Sequence, residues 1–260
     1  MPTPLRQVPQ TDRPAVLVTG GARRIGAAIS RRFGEAGWHV VIHSNRSLAE
    51  AEVLAAELPS AEAVRCDLAD SGAALAMIEG LAARIEDWRV LVNSASVFRP
   101  DDVAQLDAGI NWEALQVNAA TPAMMAQAYL RLARSAAGRR VIQVTDQKLA
   151  NPNPDFFSYT MSKHALAATV PMLAMAAAPA DRVYGLAPGA ILASHDQSEA
   201  EAEATHRLNL LGRRTGAGEV AEAALFLATG PLASGQTLFV DSGQHLLAQP
   251  RDVMFLSDAR

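Results

Sequence analysis

The chain has a single cysteine, Cys66, so no internal disulfide can form. A lone cysteine in a strand-like stretch serves packing more often than nucleophilic attack, and its isolation fits a reducing cytoplasm, the expected location. Long hydrophobic runs are missing too. The longest, residues 165–180, is interrupted by Pro171 and Pro179 and is too short for a membrane span. Neither sign of charge dominates: 23 Lys and Arg against 27 Asp and Glu leave a net charge of -4, which does not suggest a nucleic-acid surface. None of the 6 histidines stands at metal-ligand spacing from a cysteine or carboxylate, so no metal is expected. Residues 1–13 hold Pro2, Pro4 and Pro9 but no apolar core. They are expected to form a flexible arm rather than a signal peptide.

What is present is alternation. Short β-branched runs at 15–18, 38–43, 63–66, 90–92, 140–144, 182–186 and 237–240 are separated by Ala-rich stretches with helical character. The helices are expected at 24–36, 49–58, 73–85, 112–133, 159–177 and 219–228. Such strand–helix alternation implies a parallel sheet with helices on both faces and right-handed crossovers. The expectation is one α/β domain over residues 14–260, a Rossmann-type doubly wound sheet of about seven strands.

Two clusters carry chemistry. Gly20 and Gly21 follow the first strand, and Gly26 opens the next helix. Glycines there permit a tight turn and close backbone approach to a pyrophosphate at a helix N-terminus. Over a hundred residues later, Tyr159 and Lys163 stand at i and i+4, on one face of a helix. An ammonium beside a phenol favours the phenolate, which predicts a lowered Tyr159 pKa and a proton donor usable near neutral pH. Together the clusters suggest hydride transfer coupled to proton transfer.

The end of the second strand addresses the cofactor. NAD enzymes often carry an acidic residue about 20 residues past the glycine loop, to hold the ribose hydroxyls. Here Ser44-Asn45-Arg46-Ser47 stands instead. A carboxylate would repel the extra ribose phosphate of NADP; Arg46 and Ser47 would bind it, with Arg23 or Arg24 closing from the loop. The alternative is that Arg46 is only a solvated charge. Asp67 is either an acceptor for the adenine amino group or an ordinary loop or N-cap residue.

Over about residues 14–245 these features resemble the short-chain dehydrogenase/reductase family. Asn93-Ser94-Ala95-Ser96 stands where that family has Asn-Asn-Ala-Gly, Asn118 matches its catalytic-site Asn, and Pro188-Gly189 its Pro-Gly bordering the nicotinamide. The resemblance implies that Asn118 bends its helix and holds a water in a relay to Lys163. It also implies that the Ile191 backbone holds the carboxamide, and that Gly20, Arg23, Arg24, Ile25, Asn45, Leu68, Asn93, Ser94 and Ala95 line the cofactor with Tyr159 and Lys163.

The chain departs from the family in four places. Arg24 replaces the middle glycine of the loop, and Asp146 replaces the Ser thirteen residues before the Tyr. Ser94 and Ser96 interrupt the Asn-Asn-Ala-Gly run, and Phe98 follows two residues on. All four resemble the pteridine reductase and dihydromonapterin reductase branch. That branch implies NADPH as hydride donor and a pterin-like substrate stacked by Phe98 near Ser96. Asp146 and Tyr159 then form the proton-delivery pair. The apolar helices starting near Trp112 and Tyr159 imply, by the same resemblance, a homotetramer. Two other functions stay open: a carbonyl reductase of the 3-oxoacyl type, and an NADP-binding regulatory protein without turnover. Residues 192–216 are read as a substrate-side flap, in which His195 either touches substrate or, the preferred reading, faces solvent.

Overall fold

The computed structural model describes residues 12–193 and 197–256. The arm expected over residues 1–13 lies almost wholly outside the described residues, as does His195. Seven strands form one sheet: β1 (Ala15–Val18), β2 (His39–Ser44), β3 (Ala61–Arg65), β4 (Trp88–Asn93), β5 (Arg140–Val144), β6 (Arg182–Pro188) and β7 (Thr237–Val240). Their order is β3-β2-β1-β4-β5-β6-β7 and every neighbouring pair is parallel. The helices are α1 (Arg24–Glu35), α2 (Leu48–Glu57), α3 (Ser71–Arg84), α4 (Ala108–Leu115), α5 (Thr121–Leu132), α6 (Phe157–Ala176), α7 (Glu199–Thr205) and α8 (Ala217–Thr229).

Side chains on successive strand residues point to opposite faces, so a sheet covered on both sides needs apolar residues at every position. In β1, Val16 and Val18 join Ile29 and Phe33 of α1, Leu54 of α2 and Leu227 of α8. Its other two residues, Ala15 and Leu17, join Ile78 of α3, Met125 and Tyr129 of α5 and Val170 of α6. Each large aliphatic side chain so buried stabilises the fold by about 1.5–3 kcal/mol. β1 and the middles of β2 and β4 are accordingly short apolar runs, whereas the edge strand β3, Ala61–Arg65, is mixed and only partly buried.

Two elements differ from expectation. The helix expected at 112–133 begins at Ala108 and widens into a π-turn, Gln116–Ala120, before continuing as α5. Pro122 lies at the start of α5 and has no N–H to return to the Asn118 carbonyl, which accounts for the wider turn. α7 was not expected. It is held by a reciprocal capping box, with Ser198 Oγ accepting from the Glu201 N–H and the Glu201 carboxylate accepting from the Ser198 N–H.

The strand order reverses between β1 and β4, and the carboxyl ends of these strands flank one crevice. Thr19 Oγ1 ties the two ends together by accepting the N–H groups of Ser94 at 2.9 Å and Ala95 at 3.0 Å.

Candidate active site

The loop after β1 packs without room for side chains. A Cβ on Gly26 would stand 2.1 Å from the Gly20 carbonyl oxygen, and Gly20 itself sits at φ +62°. Beneath the loop lies His43, at the end of β2. Its Nδ1 accepts the Gly20 N–H at 3.2 Å, and its Nε2 faces the Cys66 carbonyl at 3.0 Å, which assigns the proton to Nε2. Burial lowers the His43 pKa from 6.5 to about 4, so the ring is neutral. Arg24, at φ 53°, reaches across and donates to the carbonyls of Ala193 at 2.9 Å and Leu192 at 3.1 Å. Arg23 pairs with Glu50.

The expected catalytic residues meet where α6 begins. Phe156, in the left-handed conformation, turns the chain into α6 and puts Tyr159 in its first turn. The Tyr159 hydroxyl donates to Asp146 Oδ2 at 2.7 Å. The other Asp146 oxygen accepts the Lys148 N–H at 2.9 Å. Lys163, one turn further on, donates to the Val144 carbonyl at 2.8 Å and lies 5.5 Å from the centre of the Tyr159 ring.

The electrostatics correct one expectation. Tyr159 is not shifted towards phenolate: burial, and then the Asp146 charge, push it well above its ordinary value. Lys163 is itself lowered to about 8 by burial, and its ammonium lies over the Tyr159 ring. The i, i+4 spacing holds, but in this fold burial, with the Asp146 carboxylate second, governs the phenol. Burial raises Asp146 as well, against its contacts with Lys148 and Tyr159. The result is a protonated phenol whose hydroxyl is held by the buried Asp146 side chain.

A cleft of about 580 Å³ opens over this centre. Gly20, Arg23, Arg24, Ile25, Ser94, Ala95, Ser96, Phe98, Asp146, Tyr159, Lys163, Pro188, Gly189 and Ile191 line it. Seven of the expected site residues do not line it. Asn118 is buried in the π-turn, where its Nδ2 donates to the Val97 carbonyl at 2.9 Å and to Ser162 Oγ at 3.0 Å. Asn93 turns inward to Gln143 Oε1 at 2.9 Å. Asn45, Arg46 and Ser47 follow β2. Asp67 and Leu68 follow β3 at the same edge. Asp67 Oδ1 accepts the Ala69 N–H at 3.0 Å, and the Leu68 carbonyl accepts from Thr121 Oγ1 at 2.8 Å. Arg46 is exposed and has no ion-pair partner among the described residues.

Part of the cleft lining escaped sequence reading. It holds Gln147, Lys148, His206, Asp252, Val253 and Met254. Lys148 Nζ meets Asp252 Oδ2 at 2.8 Å, and Arg251 pairs with Asp155 at 2.7 Å, fastening residues 251 and 252 to the loop before α6. Only the adjacency of Gln147 and Lys148 to Asp146 could have pointed there. Phe98 stacks on Phe156 at 4.1 Å and meets Tyr159 edge-on at 4.7 Å, so one of its faces is already covered by the fold.

Comparison with known proteins agrees with this architecture. Residues 20–245 match the family described as enoyl-(acyl carrier protein) reductase. The chain is 34% identical to a putative ketoacyl reductase of the granaticin polyketide synthase from Streptomyces violaceoruber, across 91% of this chain and 98% of the other. Pteridine reductase 1 from Leishmania tarentolae is 29% identical, across 90% and 96%. Among solved structures, FolM alternative dihydrofolate reductase 1 from Brucella suis in complex with NADP superposes with a TM-score of 0.85. It is 35% identical, across 92% of this chain and 97% of that one.

Proposed function

This chain belongs to the short-chain dehydrogenase/reductase family, and we propose that within it the chain is an NADPH-dependent reductase of a pteridine ring. The residues present suit the dinucleotide. The glycine loop leaves no space where a Cβ would stand, the N-terminus of α1 opens onto it, and Arg46 offers an uncommitted guanidinium at the end of β2. The NADP complex of the Brucella suis relative supports the same choice. When bound, NADPH supplies a hydride.

The observation that carries the pteridine reading is the Tyr159–Asp146 contact. Reducing a ring C=N bond puts hydride on carbon and requires a proton on nitrogen. The Tyr159 hydroxyl, held in place by Asp146, gives that proton, and the phenolate so formed is reprotonated from solvent. Lys163 orients the nicotinamide ribose, and Phe98 supports the flat ring on its open face. A homotetramer in the cytoplasm belongs to the same proposal; the exposed Trp112, Met161 and Met172 on α4 and α6 support the assembly.

The likeness to a ketoacyl reductase favours a second reading, reduction of a ketone in an acyl thioester. Asp146 weighs against it, since a carboxylate beside a developing alkoxide is unfavourable unless protonated. The test is NADPH oxidation with dihydromonapterin beside a β-ketoacyl thioester. Turnover of the thioester alone would overturn the pteridine reading.

A further inference from the structure

We propose that the segment 249–255 braces the Tyr159–Asp146 pair from outside the cleft, with Arg251 as the positioning residue that fastens it. The proposal rests on Tyr159 as proton donor, which the pteridine and ketoacyl readings share, and not on the choice between them. Asp146 and Tyr159 stand at the two ends of one loop, residues 147–156, and the 2.7 Å hydrogen bond between them depends on how that loop is held. The loop ends on Phe156 at φ 53°. A non-glycine residue keeps that conformation only where its surroundings fix it.

The contacts of the 249–255 segment fall along this loop. The Gln249 N–H donates to Asn151 Oδ1 at 3.1 Å, and Lys148 Nζ meets Asp252 Oδ2 at 2.8 Å. The Arg251 guanidinium forks onto Asp155, with Nε donating to Oδ2 at 2.8 Å and the terminal nitrogen reaching Oδ1 at 2.7 Å. The Asp252 N–H donates to the same Oδ2 at 2.7 Å. Phe255 stacks on Phe156 with ring centres 6.1 Å apart. Phe156 in turn stacks on Phe98, which meets Tyr159 edge-on, so an aromatic column runs from the segment to the phenol.

Asp155 is the joint of this brace. Its burial works to raise its pKa, but Arg251 and the Asp252 N–H outweigh that and hold it below its ordinary value. A buried carboxylate that loses its forked guanidinium is left short of donors and must shift towards water. Phe156, the next residue, then loses its fixed position. Arg251 itself is exposed and does not line the cleft over Tyr159, whereas Asp252, Val253 and Met254 do. Arg251 therefore acts through Asp155 and not on a substrate.

The test uses Arg251→Ala and Arg251→Lys in the full chain. NADPH oxidation is followed with dihydromonapterin and with a β-ketoacyl thioester, beside NADPH binding and backbone hydrogen exchange. Arg251→Ala should lower kcat at least about tenfold on the substrate that the wild type reduces, because small misplacements of reacting groups are costly. KM and NADPH affinity should stay within about twofold, as for an interaction that matters only in the transition state. Exchange should quicken at residues 147–158 and stay unchanged in the strands of the sheet. Arg251→Lys keeps the charge without the fork, so its kcat should fall between the two. Unchanged kcat in both variants, or exchange that quickens equally in the strands, would overturn the brace whichever substrate is reduced. A wild type that reduces the thioester alone would overturn the pteridine reading and leave the brace standing. A wild type that reduces neither would overturn Tyr159 as proton donor, and the brace with it.

Discussion

Tyr159 and Asp146 meet at 2.7 Å, and that distance decides what the phenol can do. A free phenol beside an ammonium would titrate downwards. This one is buried against a carboxylate, and its proton is held. Tyr159→Phe removes the donated proton and nothing else of the ring, so kcat should fall by about a hundredfold or more with little change in NADPH affinity. Steady-state kinetics beside a binding titration would show it, and undiminished turnover would refute the role. Arg46 makes the complementary prediction. If its guanidinium holds the extra ribose phosphate, Arg46→Ala should weaken NADPH binding by about 1.5–3 kcal/mol, roughly tenfold to a hundredfold, and leave NADH unchanged. Equal losses for both cofactors would remove Arg46 from that role.

At the scale of elements, the glycine loop is set by two neighbours. Gly26 admits the Gly20 carbonyl where a Cβ would stand, so Gly26→Ala must displace the turn; dye-monitored melting should show NADPH no longer protecting the variant. His43 joins that loop to the ends of β2 and β3. Its folded pKa is depressed, from 6.5 to about 4, so the unfolded chain binds more protons in that window. Stability is therefore fully present above pH 6.5 and declines as the pH falls towards about 4, by up to about 3 kcal/mol. A Tm series over this range should fall steeply in the wild type and less steeply in His43→Gln; parallel slopes would contradict the assignment.

Much of this layer was legible in the chain. Doubly covered strands read as apolar runs, so the strands were found with ends displaced by a residue or two. The π-turn at Asn118 left no periodic signal, because Pro122 at the head of a helix is ordinary. α7 could have been read from Ser198 and Glu201, which carry the capping box across three residues.

For the whole molecule, the reversal of strand order between β1 and β4 places the glycine loop, Ser94–Ser96 and the Tyr159 centre on one crevice. One side of it came from motifs: Gly20 to Gly26, Asp146, Tyr159 and Lys163 are spaced along the chain as the chemistry needs. The other side could not, because Lys148, His206 and Asp252 are brought together only by folding, and burial, which reverses the Tyr159 shift, has no mark in residue spacing. The proposed assembly makes its own prediction. Light scattering should give four times the monomer mass, and Trp112→Glu, at a side chain that is 71% exposed, should reduce it; a monomeric wild type would contradict the assembly.

The central claim is that NADPH reduces a pteridine here with proton delivery from Tyr159, held by Asp146. Its most direct test follows NADPH oxidation by the wild type and by Asp146→Ser with dihydromonapterin and a β-ketoacyl thioester in parallel. The account predicts rapid turnover of the pterin by the wild type, none of comparable rate with NADH, and loss of the pterin reaction in Asp146→Ser. Full pterin turnover by Asp146→Ser, or a wild type that reduces only the ketoacyl substrate, would contradict it.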